Sequence, residues 1–350
     1  MRPILFHIPL PAFSIPIYSY GLMLMLSMIV GWFLVLGLAE RNGLPRETMS
    51  NNFIVTAIAA ILGARFLYVL TNLDEFNSFG AMFDPRRGLV AYGGFLGGFL
   101  GSFFFLRRYK LSLLTWGDAV APGLAAGLMI TRIGCYLFGC DFGRPLGEQA
   151  WPFLKTLGTF PRWSTEILKE LGGGSPAWAH HVRERGLAVT AQFSLPVHPT
   201  QIYESLVGLG LLIFLLIARR NQKFHGQILF LFIFMYGLCR YLLEILRDDV
   251  DRGAIPLSVP AHILLPLGLM FFAIGYAIGF SRSIDNIRIR QLTRVLAFFP
   301  VVFMFFSLLP GPAALSNEVQ FSTSQFIAIV SAFAASIAYA IFVKKKMALS

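Results

Sequence analysis

Apolar residues gather into nine stretches, near residues 16–38, 51–71, 88–106, 117–139, 202–218, 226–246, 261–280, 293–310 and 324–343. Each approaches the roughly 20 residues that a helix needs to cross a bilayer. The pattern predicts an all-α polytopic membrane protein with these stretches as its transmembrane helices. One Arg precedes the first stretch and no small-residue cleavage site follows it, so it reads as a retained helix rather than a leader. The pattern breaks from Asp141 to His198, where Trp151, Trp163 and Trp178 mix with Gly172-Gly173-Gly174 and charges of both signs. A connection of that length is usually structured or functional. It is expected to form a small extracytoplasmic cap with amphipathic pieces on the membrane surface.

Composition agrees with the pattern. The chain is 56% hydrophobic and 13% charged, about half the charge of a soluble domain. That excludes a secreted disulfide scaffold, a cytosolic enzyme and a DNA-reading domain. Three cysteines do not make a disulfide framework. The net charge of +11 is explained by topology rather than by nucleic acid. Basic residues follow the first, third, fifth and seventh stretches, at Arg41 and Arg46, Arg107 and Arg108, Arg219 and Arg220, and Arg282 and Arg288. Lys344, Lys345 and Lys346 end the chain. The opposite loops hold fewer, with Arg86 and Arg87 in one and Arg247 and Arg252 in another. The positive-inside rule then places the N-terminus outside and the C-terminus in the cytoplasm.

Charge inside a span is costly and marks function or helix locking. Counted at about 1.5 Å per residue, Arg65, Arg132 and Arg240 all fall in the outer half of the bilayer. Tyr20, Tyr92, Gln201 and Glu204 start helices at that same end, and Glu244 and Arg247 continue the face of Arg240. Asp118 sits at the opposite end, where a carboxylate suits a helix N-terminus. Arginine grips phosphate with paired donors, so a cationic pocket open to the outside suits an anionic phospholipid headgroup. Glycines at Gly94, Gly134 and Gly143 allow a close approach of backbone to ligand, or simply of helix to helix.

These residues lie in motifs that resemble the prolipoprotein diacylglyceryl transferase family. The signature block looks like Arg132-Ile133-Gly134-Cys135-Tyr136-Leu137-Phe138-Gly139-Cys140-Asp141-Phe142-Gly143-Arg144-Pro145. Tyr20-Gly21-Leu22-Met23, Gly63-Ala64-Arg65, Tyr92-Gly93-Gly94 and His198-Pro199-Thr200-Gln201-Ile202-Tyr203-Glu204 add to it. Arg240-Tyr241-Leu242-Leu243-Glu244, Arg247-Asp248 and Ser322-Thr323-Ser324-Gln325 complete the set. The resemblance implies transfer of the diacylglyceryl group of phosphatidylglycerol to the lipobox cysteine of a preprolipoprotein. A thioether forms and glycerol phosphate leaves, at the outer face of the bacterial inner membrane. Three departures stand out: Tyr92 where many members carry His, Cys135 where they carry Asn, and Cys140 near an acidic position.

On that reading the catalytic set is Arg132, Arg240, Tyr92, His198 and Glu244. Arg132, Arg240, Tyr20, Arg65, Gly94, Gly134, Gly143, Gln201, Glu204 and Arg247 bind the lipid. Neither a cofactor nor a metal is expected, and a monomer is. The arginines are expected to raise the thiolate fraction of the substrate by their field, with His198 the alternative proton acceptor. The chain divides into helices at 1–140, a cap at 141–200, helices at 201–256, an inserted hairpin at 257–311 and a last helix with its basic tail at 312–350. Three rivals are weighed. A paralogue with altered peptide substrate keeps the fold. A transporter would place its charge at the midplane. A thiol–disulfide redox protein would need Cys135 and Cys140 to meet, which a regular helix forbids.

Overall fold

The computed structural model describes residues 1–9, 14–76, 80, 88–164, 174–249, 254–307 and 318–347. Arg86, Arg87, Gly172, Gly173 and Arg252 lie outside them. Helices follow the apolar runs: α1 (Ser19–Arg41), α2 (Arg46–Thr71), α3 (Ala91–Arg108) and α4 (Leu113–Phe138) come first. Two short helices follow, α5 (Pro152–Leu157) and α6 (Pro176–Glu184). Then come α7 (Thr200–Ala218), α8 (Gln227–Glu244), α9 (Ala261–Ile278), α10 (Ile287–Ser307) and α11 (Thr323–Met347). Eight of these are long and apolar enough to cross a membrane. The expected ninth, α3, falls short in composition because five glycines and the terminal Arg107 and Arg108 dilute its phenylalanines.

Two antiparallel ribbons interrupt the all-α expectation. Strand β1 (Ile4–Pro9) pairs with β2 (Ser14–Tyr18), and β3 (Ala254–Pro260) pairs with β4 (Glu318–Ser322). The second ribbon joins the starts of α9 and α11, which follow its two strands directly. Each run is too short to be told from a loop by its hydropathy.

Contacts divide the chain into two compact units. In the unit Gly31–Gly123, α2 and α3 meet backbone to backbone. A Cβ on Gly93 would strike the carbonyl oxygen of Gly63, and one on Gly97 that of Ala59. Only glycine fits at these two positions, so Gly93 and Gly97 serve helix packing, whereas Gly94 and Gly98 would admit a Cβ at ordinary contact distance. Asn52 Nδ2 donates to Ser102 Oγ at 3.1 Å inside this contact. Arg65 Nη1 donates to the carbonyl of Gly88 at 3.1 Å, and its guanidinium lies over the Tyr68 and Phe76 rings. It ties the end of α2 to the segment that enters α3.

The other unit holds Met1–Val30 and Leu124–Ser350. Helices α8 and α11 approach closely where Gly237 faces Ala328 and Ala332. The start of α11 explains Ser322-Thr323-Ser324-Gln325. Ser322 Oγ accepts from the Gln325 amide at 3.1 Å, while Gln325 Oε1 accepts from the Ser322 amide at 3.1 Å. That reciprocal pair satisfies two orphan donors and fixes the helix start. Helix α9 packs on α8 through Tyr241, whose ring lies against Gly268 and whose hydroxyl donates to the Leu264 carbonyl. Helix α10 buries no residue of its apolar window.

The long connection folds around Phe142, Phe160, Ala177 and Val197. Trp178 Nε1 donates to the Ala191 carbonyl at 2.8 Å. Trp151 and Phe153, at and inside α5, are exposed, as suits a helix that lies on a membrane surface. Single bridges pair Gly143 with Arg247 and Pro145 with Val197.

Candidate functional site

The site begins where α4 ends. Gly139 adopts φ +88° and Asp141 φ +55°, both left-handed. The Gly139 amide bonds the Cys135 carbonyl at 2.8 Å and the Cys140 amide bonds it at 3.2 Å. A left-handed glycine with a six-to-one bond ends a helix and turns the chain back over its last turn. The turn throws the Asp141 carboxylate back towards Arg132, nearly two helical turns below the end of the helix.

Segments crossing behind this turn bring in the other groups. The Arg144 amide donates to Leu246 O at 2.7 Å, the His198 amide to Arg144 O at 2.9 Å, and the Asp248 amide to Phe142 O at 3.2 Å. Gly143 is pressed between His198 and Leu246 with no room for a side chain. Thr200 Oγ1 donates to Asp141 O at 2.6 Å, and Gln201 Nε2 donates to Cys140 O. The start of α7 is therefore pinned to the turn, and this sets the position of Glu204.

Three guanidiniums and four carboxylates converge there. Arg132 Nη1 lies 2.6 Å from Asp141 Oδ2, and its Nε 2.5 Å from Glu204 Oε2, out of line for a hydrogen bond. Arg240 Nη1 meets Glu204 Oε1 at 2.6 Å, and its Nη2 meets Glu244 Oε2 at 2.8 Å and Ser324 Oγ at 3.3 Å. Arg247 bonds Asp249 with both prongs, at 2.7 and 2.6 Å, and also reaches Asp141 Oδ1. Burial pushes the Asp141 carboxyl up, but the Arg132 and Arg247 guanidiniums outweigh it and hold it down at about 2. Asp141 is a carboxylate at any physiological pH.

This geometry corrects the expected cationic pocket. Arg132, Arg240 and Arg247 do share one cluster, with Glu204 and Glu244 between them. Asp141 and Asp249 were missed, and they leave the three cations more than neutralised. Anion-binding capacity remains, because Arg132 Nη2 and Arg240 Nε make no bond among the described residues.

The remaining sequence-selected residues fall in several places. Tyr20, on α1, stands beside α4 where Gly134 leaves room, within electrostatic reach of Arg132, Cys135, Cys140 and Asp141. His198 presents Nδ1 to the Tyr203 hydroxyl at 3.5 Å, and burial lowers its pKa below the ordinary imidazole value. Arg65, Tyr92 and Gly94 belong to the other unit. Asp248 serves the connection instead, paired with Arg185 and facing His180 Nε2 at 3.8 Å. The thiols of Cys135 and Cys140 and the Asp141 carboxylate lie within 4.8 Å of one another.

A family profile described as prolipoprotein diacylglyceryl transferase matches residues 3–306. A phosphatidylglycerol–prolipoprotein diacylglyceryl transferase 2 of Clostridium perfringens is 30% identical over 252 residues, 70% of this chain and 84% of that protein. The similarly named protein of Clostridium tetani is 27% identical over 267 residues, 76% of this chain and 93% of its own. That of Psychrobacter arcticus is 30% identical over 261 residues, 70% and 82% of the two chains.

Proposed function

The chain belongs to the prolipoprotein diacylglyceryl transferase family, and we propose that the Arg132–Glu204–Arg240 cluster is where its reaction takes place. The enzyme moves the diacylglyceryl group of phosphatidylglycerol to the cysteine thiol of a prolipoprotein. The sulfur bonds to the glyceryl carbon that carries the phosphate ester. The carbon–oxygen bond breaks, and glycerol phosphate leaves with the electron pair.

The observation that carries this reading is Glu204, shared by two arginines from two helices. A phosphodiester entering against Arg132 Nη2 and Arg240 Nε competes with that carboxylate for the same guanidiniums. Charge builds on the leaving phosphate as the bond breaks, and fixed guanidiniums stabilise it there. Glu204, displaced and no longer doubly paired, becomes a base within the site and takes the thiol proton. Tyr20 stands on the same side and donates to the headgroup. The cluster faces the outer leaflet of the bacterial inner membrane, and the protein acts as a monomer.

The test is thioether formation on a lipobox peptide in phosphatidylglycerol vesicles. Arg132→Ala and Arg240→Ala are each expected to reduce the rate by at least ~10²-fold, the usual cost of losing one donor to a developing anion, with insertion intact. Lysine at either position should rescue poorly, since a point charge lacks the two-pronged geometry. Full activity in either alanine variant would sink the assignment.

A further inference from the structure

We propose that Cys135 and Cys140 form a redox site, closing to a disulfide that staples the turn carrying Asp141. The helix end removes the geometric objection to such a pair. Cysteines five apart diverge on a continuous helix, but here the Cys140 amide bonds the Cys135 carbonyl at 3.2 Å across left-handed Gly139. This helix end brings the first and last side chains of the turn together. Their thiols lie within 4.8 Å of one another, and both are free. A disulfide needs the sulfurs at about 2.05 Å, so closing it calls for the two side chains to rotate towards each other.

The surroundings favour a disulfide over a metal. Arg132 Nη1 lies 3.8 Å from Cys135 Sγ and 2.6 Å from Asp141 Oδ2. A cation bound by the two sulfurs and that carboxylate would have to displace a guanidinium already seated among them. A disulfide carries no charge and needs no such exchange. The Cys140 thiol is only partly buried and points at Asp141 Oδ2 from 3.9 Å, whereas Cys135 is buried.

Chemically, the step is thiol–disulfide exchange with a disulfide-bearing oxidant. The Cys140 thiolate attacks the oxidant's disulfide and forms a mixed disulfide, releasing the oxidant's first sulfur as a thiolate. The Cys135 thiolate then attacks Cys140 Sγ and releases the second. Two protons leave, and two electrons pass to the oxidant, which becomes a dithiol. The hydrogen bond with Cys135 and burial hold the Cys140 thiol above the ordinary cysteine range, so the exchange runs faster in alkali. Closing the bond draws Cys135 Sγ away from Arg132 and fixes Asp141, which bridges Arg132 and Arg247. On the proposed reading of the cluster, oxidation therefore alters the grip on the lipid phosphate.

The full-length protein in membranes is equilibrated with oxidised glutathione at pH 8.5, denatured, and alkylated with a maleimide-linked polymer that retards each labelled thiol on a gel. Oxidised protein is expected to take one label, at Cys239, and protein reduced with dithiothreitol three, in line with its three cysteines. Peptide mass analysis should find Cys135 joined to Cys140. Three labels in both states, a bridge to Cys239, or protection that a metal chelator removes would each overturn the disulfide. In the lipobox assay, wild type is expected to change its KM for phosphatidylglycerol several-fold on reduction, while Cys140→Ser is indifferent to it. An unchanged wild-type KM would overturn the link to Arg132. Failure of all forms in that assay would count against the transferase site, and the thiol count would still decide the disulfide.

Discussion

Glu204 carries the sharpest consequence among single residues. A displaced carboxylate acting as base typically contributes 10²–10⁴ in rate. Glu204→Gln should lose rate within that range, and its residual rate should climb with pH towards the thiol pKa of about 8.5, because only thiolate formed in solution then reacts. If Glu204 merely holds the two arginines apart, the pH–rate profile keeps the wild-type shape at a lower level throughout. His198 offers the contrasting case. Its ring is engaged with Tyr203 and its backbone with Gly143 and Arg144, so His198→Gln should keep most of the activity. An acidic limb lost in that variant alone would move the base to His198. The arginines and glutamates were legible in the sequence because charge within an apolar run stands out. Asp141 and Asp249 were not, since an acid just past a helix end looks like ordinary solvated loop. Gly139 was the available signal, directly after the run of helical apolar positions that ends at Phe138.

Elements were easier to read than their junctions. The apolar runs fixed the membrane helices to within a few residues, except that α10 begins at Ile287, six residues before its apolar run. The β3–β4 ribbon escaped because its strands are distant in sequence, and the β1–β2 hairpin and the turn after α4 because local runs that short carry no readable hydropathy period. The contact of α9 with α8 is another junction, and it ties the 257–311 hairpin to the helix that carries Arg240. A side chain on Gly268 would collide with the fully buried Tyr241 ring, the neighbour of Arg240. Overpacking of this kind costs about 1–3 kcal/mol. Gly268→Leu should lower the melting temperature in detergent and cut activity, whereas a bulky substitution at the exposed Val295 of α10 should do neither. An unchanged Gly268→Leu protein would detach α9 from the site.

The 141–198 connection has its own acid sensitivity. Burial, with His180 and Arg185 nearby, lowers the His181 pKa to about 4. Its Nδ1 accepts from the Leu195 amide at 3.2 Å, which requires the neutral ring. The unfolded chain binds this proton near pH 6.5 and the folded chain only near 4. The contribution of His181 is therefore intact above about 6.5 and is lost as pH falls towards 4. Limited proteolysis of the connection should accelerate across that window, and His181→Phe should flatten the dependence. A wild type equally resistant at pH 7 and pH 4.5 would contradict this.

At the scale of the whole molecule, charge placement decides which side of the membrane receives the lipid and peptide. Clusters such as Arg107 and Arg108, Arg219 and Arg220, and Lys344 to Lys346 recur after every second span, and short basic loops resist translocation. An outer N-terminus and a cytoplasmic Lys344 tail, the arrangement the charge rule expects, require an odd number of crossings, which the eight long apolar helices reach only if α3 is counted with them. Without α3, one end or the other violates the charge rule. Its glycine-to-glycine seam with α2 supplies the close packing that compensates for weak hydropathy. The arrangement is testable in a chain with its native cysteines replaced by serine. Single cysteines at exposed Glu47, between α1 and the body of α2, and at exposed Gln149, in the long connection, should respond oppositely. A membrane-impermeant maleimide applied to intact cells is expected to label Gln149→Cys and to spare Glu47→Cys until the cells are opened. The reverse pattern would turn the cluster inward, and labelling of both from outside would remove α3 from the membrane.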